Sequence, residues 1–372
     1  MEEISPGLEN VYIKYTELTY IDGNNGIMRY RGYDINELAQ KSSFEKVSYL
    51  MLFGKFPDEA ELKAFKSSIN KNLALPDYLK DILRSLPEKS DSLGILQTLL
   101  SAKASEEGNY KYDRENDIVK IPEILGNVLS MVANIYRLKS GNNIIDPEPG
   151  DSYAETFLKA CFGSTDKDSI KSMDSALILY MDHEIPASTT AALVTASTLS
   201  DMYSSLAAAI AALRGPLHGG AAEGAYRQFL EIGSPENVNE WFKNNILSGN
   251  KRLVGFGHRV YRTYDPRLKT FKKYADILSK TEEQKNILEI ARKLEEAGVN
   301  AFGKKGIYTN TDFYSGIVFN AMGFPVDMFT TLFGLSRISG ILAHITEYVE
   351  TQERLIRPRA IYRGEKERKY PE

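Results

Sequence analysis

Arg214 to Gly224 read RGPLHGGAAEG, which sets a histidine between a proline turn and a glycine pair at the start of a new helix. Pro216 fixes the entry angle, and Gly219 and Gly220, lacking side chains, let a ligand approach the backbone closely. The run from Ala221 to Leu230 then predicts a helix with Ala222, Ala225 and Phe229 toward one side. His218 therefore stands over the positive end of a helix dipole, which disfavours the imidazolium and favours a neutral ring with one hydrogen to donate. Such a donor suits a carbonyl oxygen that gains negative charge; the plainer alternative is a turn histidine that caps its helix. Immediately upstream, Ala187 to Leu213 is rich in Ala, Ser and Thr, and small side chains let helix axes approach closely. This predicts a helix pair at the centre of the fold or at a subunit interface.

Outward from this centre the pattern stays helical. Phe44, Val47, Leu50 and Met51 mark one face, and Pro57-Asp58 starts a second helix through Leu62 and Phe65. Ile118 to Leu138 reads as a long helix broken by Pro122, and Glu155–Cys161 and Ile170–Met181 as two more. After His218, Trp241 and Phe242 follow a Pro235 start, and Ile287, Ala291 and Leu294 step along a charged helix. Asp312–Met322 and Leu332–Val349 are apolar helices, and the basic tail RLIRPRAIYRGEKERKY reads as a solvated end. Only the alternation of Val11, Ile13 and Tyr15 before the turn IDGNNG suggests strands, hence one short N-terminal hairpin. With no alternation of strands and helices, the fold class is all-α.

Composition narrows the function classes. The 372 residues can bury a large core and suffice for two domains. A net charge of −4, without a long basic face, argues against a nucleic-acid partner, while local arginines can still hold small anions. Ala187–Leu213 is long enough to span a bilayer, but its Ser, Thr and Asp201 predict buried helices and no membrane partner. The lone Cys161 forms no internal disulfide, and the opening MEEISPGLEN lacks the features of a signal peptide, so a cytoplasmic protein is expected.

Four histidines occur, and three lie in unusual contexts: His183 in DHEIPASTT, His218 in GPLHGG and His258 in GFGHRVYR. The fourth, His344 in ILAHITEYVE, needs no function. With Asp312 in NTDFYSG, and with YIDGNNGIMRYRGYDINELA and FEKVSYLMLFGKFPDEAEL near the start, these motifs resemble the citrate synthase family over nearly the whole chain.

The resemblance implies condensation of acetyl-CoA with oxaloacetate, then thioester hydrolysis, with no cofactor and no metal. A carboxylate can take a proton from the methyl group only if the developing enolate is stabilised in the same instant, so a base and a donor must converge. By resemblance Asp312 is the base, His218 donates to the thioester oxygen, and His258 polarises the oxaloacetate ketone. From the residues alone Asp312, after Asn310 and Thr311, is a helix N-cap candidate. Oxaloacetate carries two carboxylates, which guanidinium groups bind in a bidentate way. Arg337 interrupts the apolar FGLSRISGIL, where an unpaired charge would cost several kcal/mol, and so requires an anion.

The resemblance adds Arg267 and His183 to the same pocket, and Arg357 as a residue that reaches the partner's site in a homodimer. For CoA it nominates the backbone of Leu253, Val254, Gly255, Phe256 and Gly257, with Arg262 and then Lys305 for phosphates. It further implies a large domain of residues 1–218 and 323–372 and a small domain of 219–322 that closes on it. Two departures from the family pattern are Pro186, where many members have Asn, and Thr311, where many have Val. Rival readings are 2-methylcitrate synthase acting on propionyl-CoA, a metalloenzyme with His183, His218 and His258 as ligands, and a helical scaffold without catalysis.

Overall fold

The structure is a computed structural model that describes residues 4 to 371 apart from 88, 109 and 353. It opens on a small antiparallel sheet of β1 (Thr19–Asp22), β2 (Ile27–Tyr30) and β3 (Tyr33–Asp34), in that order, with Asp22 opposite Ile27 at the predicted turn. The predicted strand at Val11–Tyr15 is absent: residues 11–16 carry no strand, and Tyr12 and Tyr15 are 94% and 91% exposed. Of the three alternating residues only Ile13 packs against the core, while Val11 and Tyr15 face solvent. What fixes this segment is Lys14, whose ammonium lies 3.2 Å from His344 Nδ1 and pairs with Glu347.

Helices account for the remaining regular structure. α1 (Ile35–Lys41) and α2 (Phe44–Phe53) lead, and α2 buries the expected Phe44, Val47, Leu50 and Met51. α3 (Glu59–Asn70) starts on a capping box in which Asp58 and Glu61 exchange side-chain and backbone bonds. α4 (Asp77–Ser85) and α5 (Ser92–Ala104) precede α6 (Arg114–Lys139), which runs through Pro122 instead of breaking there. The carbonyl that loses its helical partner to this proline is that of Ile118, an exposed residue, where water can replace the bond. α7 (Tyr153–Phe162) and α8 (Lys167–Tyr180) follow. The small-residue stretch forms the predicted pair, α9 (Ala187–Ala196) packed on α10 (Met202–Leu213).

After the turn at His218 come α11 (Ala221–Ile232), the short α12 (Val238–Phe242), α13 (Leu268–Leu278) and α14 (Glu282–Phe302), which buries Ile287, Ala291 and Leu294. α15 (Asp312–Ala321) packs against α11, α13 and α14. α16 (Phe329–Gln352) packs on α2, α6, α8, α9 and α10. α6 and α16 are long and apolar enough to cross a membrane by length and composition, yet 78% and 94% of their apolar windows are buried inside the protein. α9 and α10, with 10 and 12 residues, are too short to span. α16 meets α8 closely at Gly340, where a Cβ would stand 2.1 Å from the Met181 carbonyl oxygen.

Candidate active site

The chemistry-bearing residues meet around one short segment, from Tyr180 at the end of α8 to Ser188 in the first turn of α9. Pro186 precedes α9 and supplies no side-chain cap. The missing partner comes from His218: the Ser188 backbone N–H donates to His218 Nε2 at 3.1 Å, and Ser188 Oγ lies 2.8 Å from the same nitrogen. An amide N–H can only donate, so Nε2 is the bare nitrogen and the proton of the neutral ring sits on Nδ1. The helix end to which the ring is bonded is therefore that of α9, whereas the sequence pointed to α11. Burial, reinforced by the positive charge of Arg337, lowers the His218 pKa to about 4. Gly219 also differs from expectation. Its Cβ would stand 2.3 Å from the Leu213 carbonyl and 2.6 Å from Thr330, so the close approach is by protein.

His258 is built by a similar rule with the nitrogens exchanged. Its Nδ1 accepts from the Val260 N–H at 3.0 Å, so the neutral ring carries its proton on Nε2. Burial is again the main cause that lowers its pKa to about 4, with Asp265 opposing and Arg267 adding to the shift. The His183 ring is centred 5.0 Å from that of His258, and its Nε2 is 3.2 Å from Tyr261 Oη. Burial holds His183 neutral as well, assisted by Arg267, His258 and Arg337.

Asp312 reaches this place because its approach is tied to the loop before His258. Gly257 N–H donates to the Tyr308 carbonyl at 2.8 Å, Asn310 N–H to the Gly255 carbonyl at 2.9 Å, and Phe256 bridges Thr309. Gly255 has φ +79°, and a Cβ there would stand 2.9 Å from Phe313, so this crossing admits only glycine. The capping expectation for Asp312 fails. It is the first residue of α15, Asn310 Oδ1 accepts its N–H at 3.0 Å, and its own carboxylate instead accepts the Tyr180 hydroxyl at 2.7 Å. Burial raises its pKa, while the Tyr180 bond and the Arg267 charge pull it back.

Arg337 is buried in α16, donates from Nε to the Tyr180 carbonyl at 2.7 Å and lies 4.5 Å over the Phe333 ring. Among the described residues no carboxylate is within ion-pair distance of it, which leaves its two terminal nitrogens for an anion. Arg267 is different. Its Nε and Nη2 are engaged by Asp265 at 2.9 and 2.7 Å, so the fork predicted for substrate is occupied and only Nη1 is left. Arg357 is exposed, and no hydrogen bond or ion pair ties its side chain to the other site residues of this chain among those described.

Leu253 is buried, Val254 N–H donates to Gln228 Oε1 at 3.0 Å, and Arg262 N–H donates to the Gly23 carbonyl of the β1–β2 turn at 2.9 Å. Arg262 and Lys305 are both exposed, and their backbones are neighbours: a Cβ on Gly306 would stand 3.3 Å from the Arg262 carbonyl. Tyr180, Asp182, Ser188, Tyr261 and Asp265 escaped the sequence reading. Asp182, Ser188 and Tyr261 stand inside the motifs around His183 and His258, and Asp265 stands two residues before Arg267. His344, read as functionless, is buried with Nε2 3.1 Å from Asp182 and anchors the residue next to His183. For the three-histidine reading, no group of three or more His, Cys, Asp or Glu side chains is close enough to share an ion among the described residues.

Residues 7–359 match the family model described as citrate synthase, C-terminal domain. The chain is 54% identical over 372 residues to the citrate synthase of Saccharolobus solfataricus, covering 100% of this chain and 98% of that protein. It is 51% identical to the citrate synthase of Thermoplasma acidophilum, covering 99% and 97%. Among solved structures, the ternary complex of carboxymethyl coenzyme A and oxaloacetate with the Thermoplasma acidophilum enzyme superposes with a TM-score of 0.96, at 51% identity and coverage of 100% and 98%. The Pyrobaculum aerophilum citrate synthase superposes at 0.92, with 40% identity and coverage of 99% and 94%. Likeness over the full length, joined to three neutral histidines and a buried carboxylate drawn together from distant parts of the sequence, assigns the chain to the citrate synthase family.

Proposed function

We propose that this protein condenses acetyl-CoA with oxaloacetate and water to give citrate and CoA. Asp312 removes a proton from the methyl carbon of acetyl-CoA. The enolate that develops is met by the His218 Nδ1–H, a neutral donor whose other nitrogen is held by Ser188. The ketone of oxaloacetate is polarised by the His258 Nε2–H, which then supplies the proton as the new carbon–carbon bond forms. Water finally cleaves the thioester. The observation that carries this reading is the pair of backbone N–H bonds that set opposite tautomers in the two rings, so that each presents a donor while staying uncharged.

Arg337, His183, Nη1 of Arg267 and Arg357 of a second protomer complete the oxaloacetate pocket in this proposal. The CoA moiety lies along Leu253–Gly257, with Arg262 and Lys305 toward the phosphates. The lobes are residues 1–218 with 323–372, and 219–322, and their closure excludes water during enolisation. A homodimer is favoured by apolar residues exposed around the α9–α10 pair, Val194 and Leu199, and on α6, Ile118 and Val119. We place the protein in the cytoplasm, working without a bound cofactor.

The test is thiol release with acetyl-CoA and propionyl-CoA side by side, with and without oxaloacetate. Release that needs oxaloacetate and is faster with acetyl-CoA is expected. No release overturns the proposal, and faster turnover of propionyl-CoA replaces it with the 2-methylcitrate reading.

A further inference from the structure

We infer that Tyr180 is the positioning residue of the catalytic carboxylate: its phenol, 2.7 Å from Asp312 Oδ1, holds the group in one orientation and leaves Oδ2 for the substrate proton. This rests on the reading of Asp312 as base. No other side chain is hydrogen-bonded to the Asp312 carboxylate among the described residues.

Tyr180 is itself held from several elements. Its ring is buried, edge-on to Phe333 of α16 at 4.7 Å and tilted against Phe271 of α13 at 5.2 Å. The Arg267 guanidinium lies 5.9 Å over the ring, and the Tyr180 carbonyl accepts from Arg337 Nε. One residue thus touches the proposed base through its side chain and one proposed oxaloacetate arginine through its backbone. A carboxylate has two nearly equivalent orientations about its last torsion, and a donor fixed on one oxygen removes that freedom. Burial, and then the Asp312 charge, push the Tyr180 pKa well up, so the phenol stays protonated and donates.

The charged and titratable groups that face Asp312 are Tyr180 from α8, Arg267 at the start of α13, Asp265 just before it and Arg337 from α16. The phenol favours the ionised carboxylate and so works against burial. Without it, the acid form persists to higher pH.

The test compares Tyr180→Phe with the unmodified enzyme and with Asp312→Asn, by kcat and KM for both substrates across pH. A bond to a charged group of this kind predicts that Tyr180→Phe lowers kcat about ten- to a hundredfold. KM for oxaloacetate is left nearly as it was, because the bond to Arg337 is made by the backbone. The acid limb of kcat moves to higher pH. Introduced into Asp312→Asn, the same change alters the residual rate by less than about twofold, since the two act as one unit. An unmoved limb with normal kcat in Tyr180→Phe, while Asp312→Asn is inactive, overturns this inference alone. Near-normal turnover of Asp312→Asn overturns the base assignment and the inference together. If Tyr180→Phe does not fold, 3,5-difluorotyrosine at position 180 keeps the ring and donates more strongly. The acid limb then moves to lower pH, and a fixed limb counts against the idea.

Discussion

A single carboxylate shows what the site asks of its residues. Asp312 has the sequence context of a cap, yet it is the first residue of the helix, and Asn310 Oδ1 accepts its N–H while the acid is free of the cap. Substitution Asp312→Asn preserves shape and removes the basic oxygen. Turnover is expected to fall about 10²- to 10⁴-fold, the usual range for a general base, while oxaloacetate binding measured by calorimetry stays within about threefold. Near-normal turnover would remove the base assignment. Arg337 has the opposite profile, as a buried cation without a carboxylate partner among the described residues. Arg337→Leu is expected to weaken oxaloacetate about a hundredfold while the melting temperature changes little, because the desolvated charge that is shed and the bond lost from the Tyr180 carbonyl oppose each other. Unchanged affinity would make the arginine structural. This residue was legible because a charge inside an apolar helix is a contradiction that only a partner resolves. Tyr180 was illegible because a tyrosine closing an apolar run, SALILY, is compatible with any core.

Among the elements, helices written by spacing were legible and contacts between distant turns were not. Phe44, Val47, Leu50 and Met51 declared α2, and the Ala, Ser and Thr of α9 and α10 declared a close pair. Pro122 misled, because a missing donor matters only if the orphaned carbonyl has no water. The bridge from Gly255–Gly257 to Tyr308–Asn310, which joins the His258 loop to the start of α15, has no period and no local signature. Helix spacing also bears directly on binding where α16 crosses α8. At Gly340 there is no room for a methyl group, with the Met181 carbonyl 2.1 Å from the Cβ position. Gly340→Ala is expected to push the helices apart at a cost of about 1–3 kcal/mol, read as a lower melting temperature. Arg337 lies one turn earlier on α16 and its Nε bond ends on α8. Oxaloacetate KM should therefore rise with the loss of stability, and a variant that melts lower but binds normally would show that the crossing does not set the pocket.

At the scale of the molecule, a chain folded on itself leaves one proposed ligand out. Arg357 lies in a tail from 354 to 371 with no helix or strand, and the side chains of Tyr362 and Tyr370 are 72% and 92% exposed. A tail that offers aromatics to solvent fits an arm that lies on another protomer, as a closed two-fold dimer would require. If Arg357 acts across the interface, Arg357→Leu and Asp312→Asn disable different sites and can complement. In a mixed dimer, one site has the native Asp312 of the first chain and the native Arg357 of the second. The other site has neither. Random reassociation places one chain of each kind in about half of the dimers, with one of their two sites intact, so about a quarter of native turnover returns from two nearly inactive preparations. If Arg357 serves its own chain, every site in the mixture carries one of the two lesions and no activity is regained. Thiol release measured after joint dissociation and reassembly, against each variant treated alone, decides between the two arrangements.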